Sequence, residues 1–236
     1  MGSPPRGANP LRAVLFDAVG TLLELREPVG ETYARAARAH GVRISAMRIG
    51  DAFQRIVAGA PPMVFPALPS AEVAAQERDW WRAVVRSTLR TADASAVVDD
   101  FERYFDALYR HYATAKAWCV TEGSLPCLRA LRERGLATGV VSNFDLRLPA
   151  VLEDTGLAPW LDVVVLPGHV GAAKPDPTPF REALEQLSCK PSEAVYVGDD
   201  PTRDAAGAQA AGMPAIHAGE LATLADLPAR LAGAME

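Results

Sequence analysis

A chain of 236 residues, 49% of them hydrophobic, has room for one α/β domain with an insertion and is too apolar to be a disordered chain. A net charge of −5 argues against a nucleic-acid partner, and no apolar run approaches the roughly 20 residues of a membrane span. Cys119, Cys127 and Cys189 are odd in number and lack metal-ligand spacing, which reads as free thiols in a reducing cytoplasm.

In chain order, residues 1–10 are rich in glycine and proline with no apolar h-region, so a disordered tail and no signal peptide are expected. The run 11–16 reads as a buried strand that ends in Asp17, with a Gly20-Thr21 turn behind it. No further strand is expected before residue 137. Four stretches of helical periodicity fill the interval: 28–40, 45–58, 70–89 and 94–115. Ser45 and Ser70 open the second and third, and Gly59-Ala60-Pro61-Pro62 must break any helix between them. Helices are expected next at 124–134, 147–156, 179–187 and 202–211, the last closed by Gly212. Strands are expected between them at 137–141, 163–166, 195–197 and 215–217. This alternation predicts an α/β fold around a parallel sheet. It divides the chain into a core of 11–25 and 118–236 and a helical unit of 26–117, with hinges near 23–26 and 117–121.

Polar groups recur where strands end. Asp17 has no ion-pair partner among its sequence neighbours, so its carboxylate either coordinates a cation or attacks something. Ser142 and Asn143 follow the second sheet strand, Lys174 stands in a Gly/Pro-bounded loop, and Gly198-Asp199-Asp200 with Asp204 follows a third apolar run. In a parallel sheet the carboxyl ends of the strands lie side by side, so these groups would meet in one crevice. Asp200 could join the acidic group or cap the following helix, and Ser142-Asn143 could seat a phosphate or cap a helix. His40, His111, His169 and His217 show no metal or triad spacing.

These segments, in this order, resemble the four motifs of the haloacid dehalogenase-like (HAD) hydrolases, and the resemblance runs from about Leu11 to Met235. Phe16 to Leu22, Pro61 to Phe65 and Glu77 to Trp81 are similar to the branch named after a rhythmically expressed insect gene, which has no settled substrate. The resemblance implies a Rossmann-like parallel core with a small all-helical cap domain inserted after the first strand. It implies in-line attack of Asp17 on phosphorus, giving an aspartyl-phosphate that water then hydrolyses. Ser142, Asn143 and Thr21 would hold the phosphoryl oxygens, and Lys174 would offset the negative charge. Mg²⁺ would sit on Asp17, Asp199 and the backbone carbonyl of Val19, with Asp204 behind them. In the cap, Arg55 is the candidate to face a small phosphorylated substrate, set against a surface arginine lying along apolar neighbours. A monomer or homodimer without nucleic-acid or membrane partners is expected.

Val19 departs from the family's phosphatase pattern, which has an aspartate there as acid and base. Three readings stay open. The leaving group needs no proton, another residue supplies it, or the reaction is not phosphoryl transfer. The haloacid dehalogenases carry tyrosine at this place but lack the acidic metal motif that this chain keeps. The phosphonoacetaldehyde hydrolases carry alanine but use a cap lysine, and residues 26–115 contain no lysine. A Mg²⁺-dependent phosphatase, a dehalogenase-type hydrolase and a non-catalytic binding protein of this fold all remain.

Overall fold

A computed structural model describes residues 11–66 and 68–232, with only the backbone of Ser70. The expected tail at 1–10 lies outside the described residues. The chain forms β1 (Ala13–Phe16), β2 (Leu23–Leu25), α1 (Val29–Ala39), α2 (Ala46–Gly59), α3 (Ser70–Ala92) and α4 (Phe101–His111). Then follow β3 (Trp118–Val120), α5 (Ser124–Glu133), β4 (Ala137–Val141), α6 (Leu148–Asp154), β5 (Val163–Val165) and α7 (Pro167–Val170). The chain closes with α8 (Thr178–Gln186), β6 (Ala194–Gly198), α9 (Ala206–Ala210), β7 (Ala215–His217) and α10 (Leu227–Leu231).

A five-stranded sheet runs in the order β5-β4-β1-β6-β7, and every pairing in it is parallel. Both faces are covered, so the strands are mostly apolar. Val14 and Phe16 of β1 face one core with Leu128 and Leu131 of α5 and Val151 of α6. Ala13 and Leu15 face the other with Phe180 and Leu184 of α8. The strand order reverses at β1, which is where such sheets open a crevice at their carboxyl ends. The helices α1–α4 close a core of their own around Tyr33, Ile49, Val85, Tyr104 and Phe105.

Several expected elements change. The first strand starts at Ala13 rather than at residue 11, although Arg12 still bonds towards both neighbours, its amide to the Glu193 carbonyl at 2.7 Å and its carbonyl from the Ala137 amide at 2.9 Å. The helix expected from 94 starts only at Phe101. Asp93 captures the Ser95 amide at 3.0 Å in a local turn, and Asp100 caps the real helix through the Arg103 amide. In the helix expected at 202–211, Pro201–Ala205 is wound as π-helix before α9. Pro69, not Ser70, holds the N-cap position of α3. The two passages between the helical unit and the core are not plain hinges. They pair as the antiparallel strands β2 and β3, each three residues long, too short to leave a periodic signal.

The helical unit is also tied to the core beyond β4. Trp81 of α3 donates its indole N–H to Asp145 at 2.6 Å, and Glu77, one turn earlier, accepts the Leu146 amide at 2.9 Å. Arg147 braces Asp145 with two bonds of 2.8 and 2.5 Å and lies flat on the Tyr109 ring of α4, 3.9 Å from its centre. Glu77 is 1% exposed, and its second oxygen has no hydrogen-bond partner. Burial, with Asp145 adding to it, pushes its carboxyl from 4.5 up to about 7, against the Leu146 amide and Arg147. The folded state therefore favours the protonated form. The stabilisation this gives is complete below about pH 4.5 and is lost as pH rises through about 7. Urea denaturation across this range should show the wild type losing about 2 kcal/mol relative to Glu77→Gln, which keeps the acceptor without the charge. Parallel curves for the two proteins would show that the carboxyl ionises freely.

Candidate active site

Asp17 stands one residue past β1, at the reversal point of the sheet, and is 7% exposed. The counter-charge that Asp17 lacks among its sequence neighbours comes, as expected, from Lys174. Lys174 Nζ donates to Asp17 Oδ1 at 2.7 Å, to Asp204 Oδ1 at 2.6 Å and to the Tyr196 hydroxyl at 2.8 Å. The lysine is 5% exposed and all three of its protons find acceptors. Although it stands in a Gly/Pro-bounded loop, it is not a surface lysine. Tyr196 passes its own proton to the Val141 carbonyl at 2.8 Å, so the network is anchored to β4 as well as β6.

Asn143 has a part beside the one expected. Its amide donates to the Lys174 carbonyl at 2.9 Å, and its carbonyl accepts the Lys174 amide at 2.8 Å. Each end of the side chain makes one bond to the lysine backbone, so Asn143 acts as a clamp on that loop, and a second amide N–H remains beside the cavity that Asn143 lines. Ser142, next to it, faces Asp17 and favours its charged form. Asp200 settles as a cap, with its side chain accepting from the Thr202 and Arg203 amides at 2.9 and 3.0 Å. Asp204 is fixed from both sides, by Lys174 and by the Asp200 amide at 3.0 Å.

Oxygens of Asp17, Asp199 and Asp204 all lie within 4.8 Å of one another. Burial is the main force raising the Asp17 carboxyl, partly countered by Lys174 and reinforced by Asp204. Burial and the neighbouring Asp17 raise Asp199 in the same way. One ammonium among three carboxylates leaves an excess of negative charge, and the donors are all hard oxygens. That set fits a divalent cation such as Mg²⁺. The turn is shaped to this approach: Gly20 has φ +94°, and a Cβ there would overlap the Asp199 carboxylate. Gly198 is bare for the same reason, since a Cβ would overlap Asp204.

Above the carboxylates lies a cavity of about 430 Å³, floored by Asp17, Val19, Ser142, Asn143, Lys174 and Asp199 and roofed by the helical unit. Two expected substrate residues are not in its lining. Arg55 is exposed on α2. Phe53 and Val57, four residues apart, share the face that lines the cavity, and Arg55, midway between them, projects away. Thr21 is 1% exposed with its hydroxyl unpartnered. The turn folds it inward, as the Leu22 and Leu23 amides both reach the Ala18 carbonyl at 2.9 and 2.8 Å. Three contributors were missed. The signal for Tyr196 was a lone hydroxyl inside an aliphatic strand. For Asp145 and Arg147, it was an acid–base pair just past the Ser142-Asn143 turn.

The chain belongs to the haloacid dehalogenase-like hydrolases, whose family model matches residues 11–212. It is 39% identical over 206 residues to haloacid dehalogenase-like hydrolase domain-containing protein 3 of Bos taurus, covering 86% of this chain and 80% of that protein. It is 29% identical over 210 residues to the rhythmically expressed gene 2 protein of Drosophila melanogaster, covering 84% and 79%. Among solved structures, a HAD phosphatase from Thermococcus onnurineus superimposes with a TM-score of 0.62 at 26% identity, over 96% of this chain and 100% of that one. The protein is a hydrolase of this family. Among the described residues, no helix is long and apolar enough to cross a membrane.

Lys174 is a structural element as well as a site charge, so its removal tests the network directly. In the presence of EDTA, Lys174→Met should lose about 3 kcal/mol of unfolding free energy, because it leaves buried carboxylates unpaired. Excess Mg²⁺ should recover part of the loss. Equal stability of variant and wild type in EDTA would mean that the buried contacts do not form in solution.

Proposed function

We propose that the protein is a Mg²⁺-dependent phosphatase of a small phosphorylated molecule, acting through Asp17 and requiring a leaving group that departs without a proton. The observation that carries this reading is the Asp17 carboxylate, paired with Lys174 and within 4.8 Å of two further carboxylates, on the floor of the cavity. The HAD phosphatase that shares the fold supports it. Asp17, Asp199 and Asp204 are the residues that would hold Mg²⁺, which supplies charge neutralisation among the carboxylates and at the phosphoryl oxygens.

Lys174 engages Oδ1 of Asp17, which leaves Oδ2 outside the ion pair and free to attack phosphorus. The bond from phosphorus to the leaving oxygen breaks, and that oxygen takes the electron pair. Water then adds to the phosphorus of the aspartyl-phosphate, returning the Asp17 carboxylate and releasing phosphate. The proton given up by water balances the charge on the departed oxygen. Lys174 and Ser142 hold the developing negative charge on the way.

Neither step has an evident proton carrier. Val19 lines the cavity beside Asp17 and carries no proton. Asp200 is committed as a helix cap, and hydrogen bonds from Thr202 and Arg203 outweigh burial and hold its carboxyl below the usual range. Burial pushes the wall tyrosines up, Tyr33 well above its usual value and Tyr112 to about 12, so they keep their protons. A positioned acid or base is worth roughly 10²–10⁴ in rate.

Phosphate release should require Mg²⁺, stop in excess EDTA, and vanish in Asp17→Asn and Asp199→Ala. Full activity in EDTA together with chloride release from 2-haloacids would replace this reading with dehalogenase chemistry. The absence of release from every ester tried would leave a binding protein.

The leaving group should dominate the first step. Values of kcat/KM for p-nitrophenyl phosphate should exceed those for alkyl phosphates by about 10²-fold or more, and Val19→Asp should close about 10²-fold of that gap. The unassisted second step should show as a burst of p-nitrophenolate, near one equivalent per enzyme, before a slower steady rate. A flat dependence of kcat/KM on leaving-group acidity would mean that another residue supplies the proton.

A further inference from the structure

The cavity wall is unusual in what it lacks. Within the described helical unit, the side chains lining it are apolar or aromatic, with no amide, carboxylate, lysine or arginine among them. The aromatic ones form a ladder. Phe53 meets Tyr33 with ring centres 5.8 Å apart, and Tyr33 meets Tyr112 at 6.3 Å. Tyr112 meets Trp118 at 6.1 Å, and Trp118 meets Phe144 at 5.4 Å. Phe144 follows the Asn143 clamp directly, so the ladder leads from the rim of the helical unit to the phosphate site. Trp81 and Tyr109 line the cavity as well.

The remaining polar groups on these walls are mostly spent. The Trp118 indole N–H donates to the Tyr112 carbonyl at 3.1 Å, and the Trp81 indole donates to Asp145 at 2.6 Å. Arg147 also borders the cavity, but Asp145 neutralises it. What remains are phenolic hydroxyls at the ends of rings. A sugar or other polyol placed here would leave most of its hydroxyls unpaired, which such a site selects against. A flat apolar group would stack and lose nothing.

The size and the chemistry agree. About 430 Å³ is enough for a fused two-ring system and a phosphate. Val19 calls for a leaving oxygen that is stable as an anion, and a phenolic oxygen is one. We propose that the cavity takes a flat, apolar aromatic group and that the substrates are aryl phosphates, cleaved to the aryl alcohol and inorganic phosphate. The substrate part of this proposal rests on the phosphatase reading above. In the first step the aryl-oxygen–phosphorus bond breaks as the Asp17–phosphorus bond forms. The aryl oxide then takes the proton that water gives up in the second step.

The test compares 2-naphthyl phosphate with phenyl phosphate, whose leaving groups are of nearly equal acidity, and with glycerol 3-phosphate. Value of kcat/KM should be about tenfold higher for the naphthyl than for the phenyl ester, the gain from roughly 50 Å² more buried apolar surface. Glycerol 3-phosphate should be the poorest. Phe53→Ala should bring the naphthyl-to-phenyl ratio towards one, and Val57→Ser gives a second reading of the same wall should that variant fold poorly. Separately, 2-naphthol, which carries no phosphate, should quench the fluorescence of Trp81 and Trp118 saturably in wild-type protein. Phosphate release with no preference for the naphthyl ester, or with glycerol 3-phosphate favoured, would overturn the aromatic assignment and leave the phosphatase reading standing. Saturable naphthol binding without phosphate release from any ester would sink the phosphatase reading and keep the aromatic cavity. No naphthol binding and no naphthyl preference would remove the proposal altogether.

Discussion

The site depends on one buried ammonium. Lys174 sits between Asp17, Asp204 and the Tyr196 hydroxyl, and each of those is delivered by a different stretch of chain. Asp17 comes from the end of β1, Tyr196 from inside β6 and Asp204 from the π-helical turn after it. Burying two carboxylates here without a counter-charge would be prohibitive, and burying the ammonium without acceptors equally so. The ion pairs therefore fix which strands must be neighbours, and β1 and β6 pair along their length. The remaining negative charge, gathered around Asp199, is what fits the site for a cation.

The loop after β4 then couples the parts. Ser142 faces Asp17, Asn143 clamps the lysine backbone, Phe144 begins the aromatic ladder, and Asp145 receives Trp81 from the helical unit. Four consecutive side chains thus join the charge network, the cavity wall and the lid-like helices. Movement of α3 relative to the core must disturb Asp145 and Leu146, two and three residues from the lysine clamp. The two-stranded β2–β3 pair holds the same units together on the side of β1.

Much of this was legible in the sequence where the signal is a strand followed by a polar group. β1, β4 and β6 are aliphatic runs, and Asp17, Ser142 and Asp199 follow directly from their ends. What stayed hidden depended on contacts far apart in the chain. The strand-end pattern already brought Lys174 to the carboxylates, but a lysine in a Gly/Pro loop looks exposed, and nothing local shows that groups 157, 30 and 22 positions away will bury it. The clamp that Asn143 makes was hidden because its partner is backbone, which has no sequence signature. Arg55 is a different kind of miss. The spacing of Phe53 and Val57 already marked the inward face of α2, and an arginine between them belongs on the other face. The late start of α4 likewise followed from Asp93 and Ser95, whose local turn competes with helix.

Val19 and the aromatic wall express one constraint. Among the lining residues, charged side chains are confined to the core side, and each either faces the carboxylates, caps a helix or is paired. A second aspartate at position 19 would add a further negative charge beside Asp17, Asp199 and Asp204. It would work as an acid only if held protonated there. Valine instead packs against the core cluster that includes Leu22 and Leu23, and it presents only methyl groups to the cavity. The result is a site with strong charge at its floor and an apolar wall directly above it. In such a place electrostatic stabilisation at phosphorus is strengthened by the low local dielectric. Proton transfer to the leaving group, which needs a titrating side chain close to the departing oxygen, finds none on this apolar wall. On the proposed reading, then, the burden of leaving-group stabilisation passes from the protein to the substrate, and an apolar wall with an acid-free floor selects for substrates that can carry it.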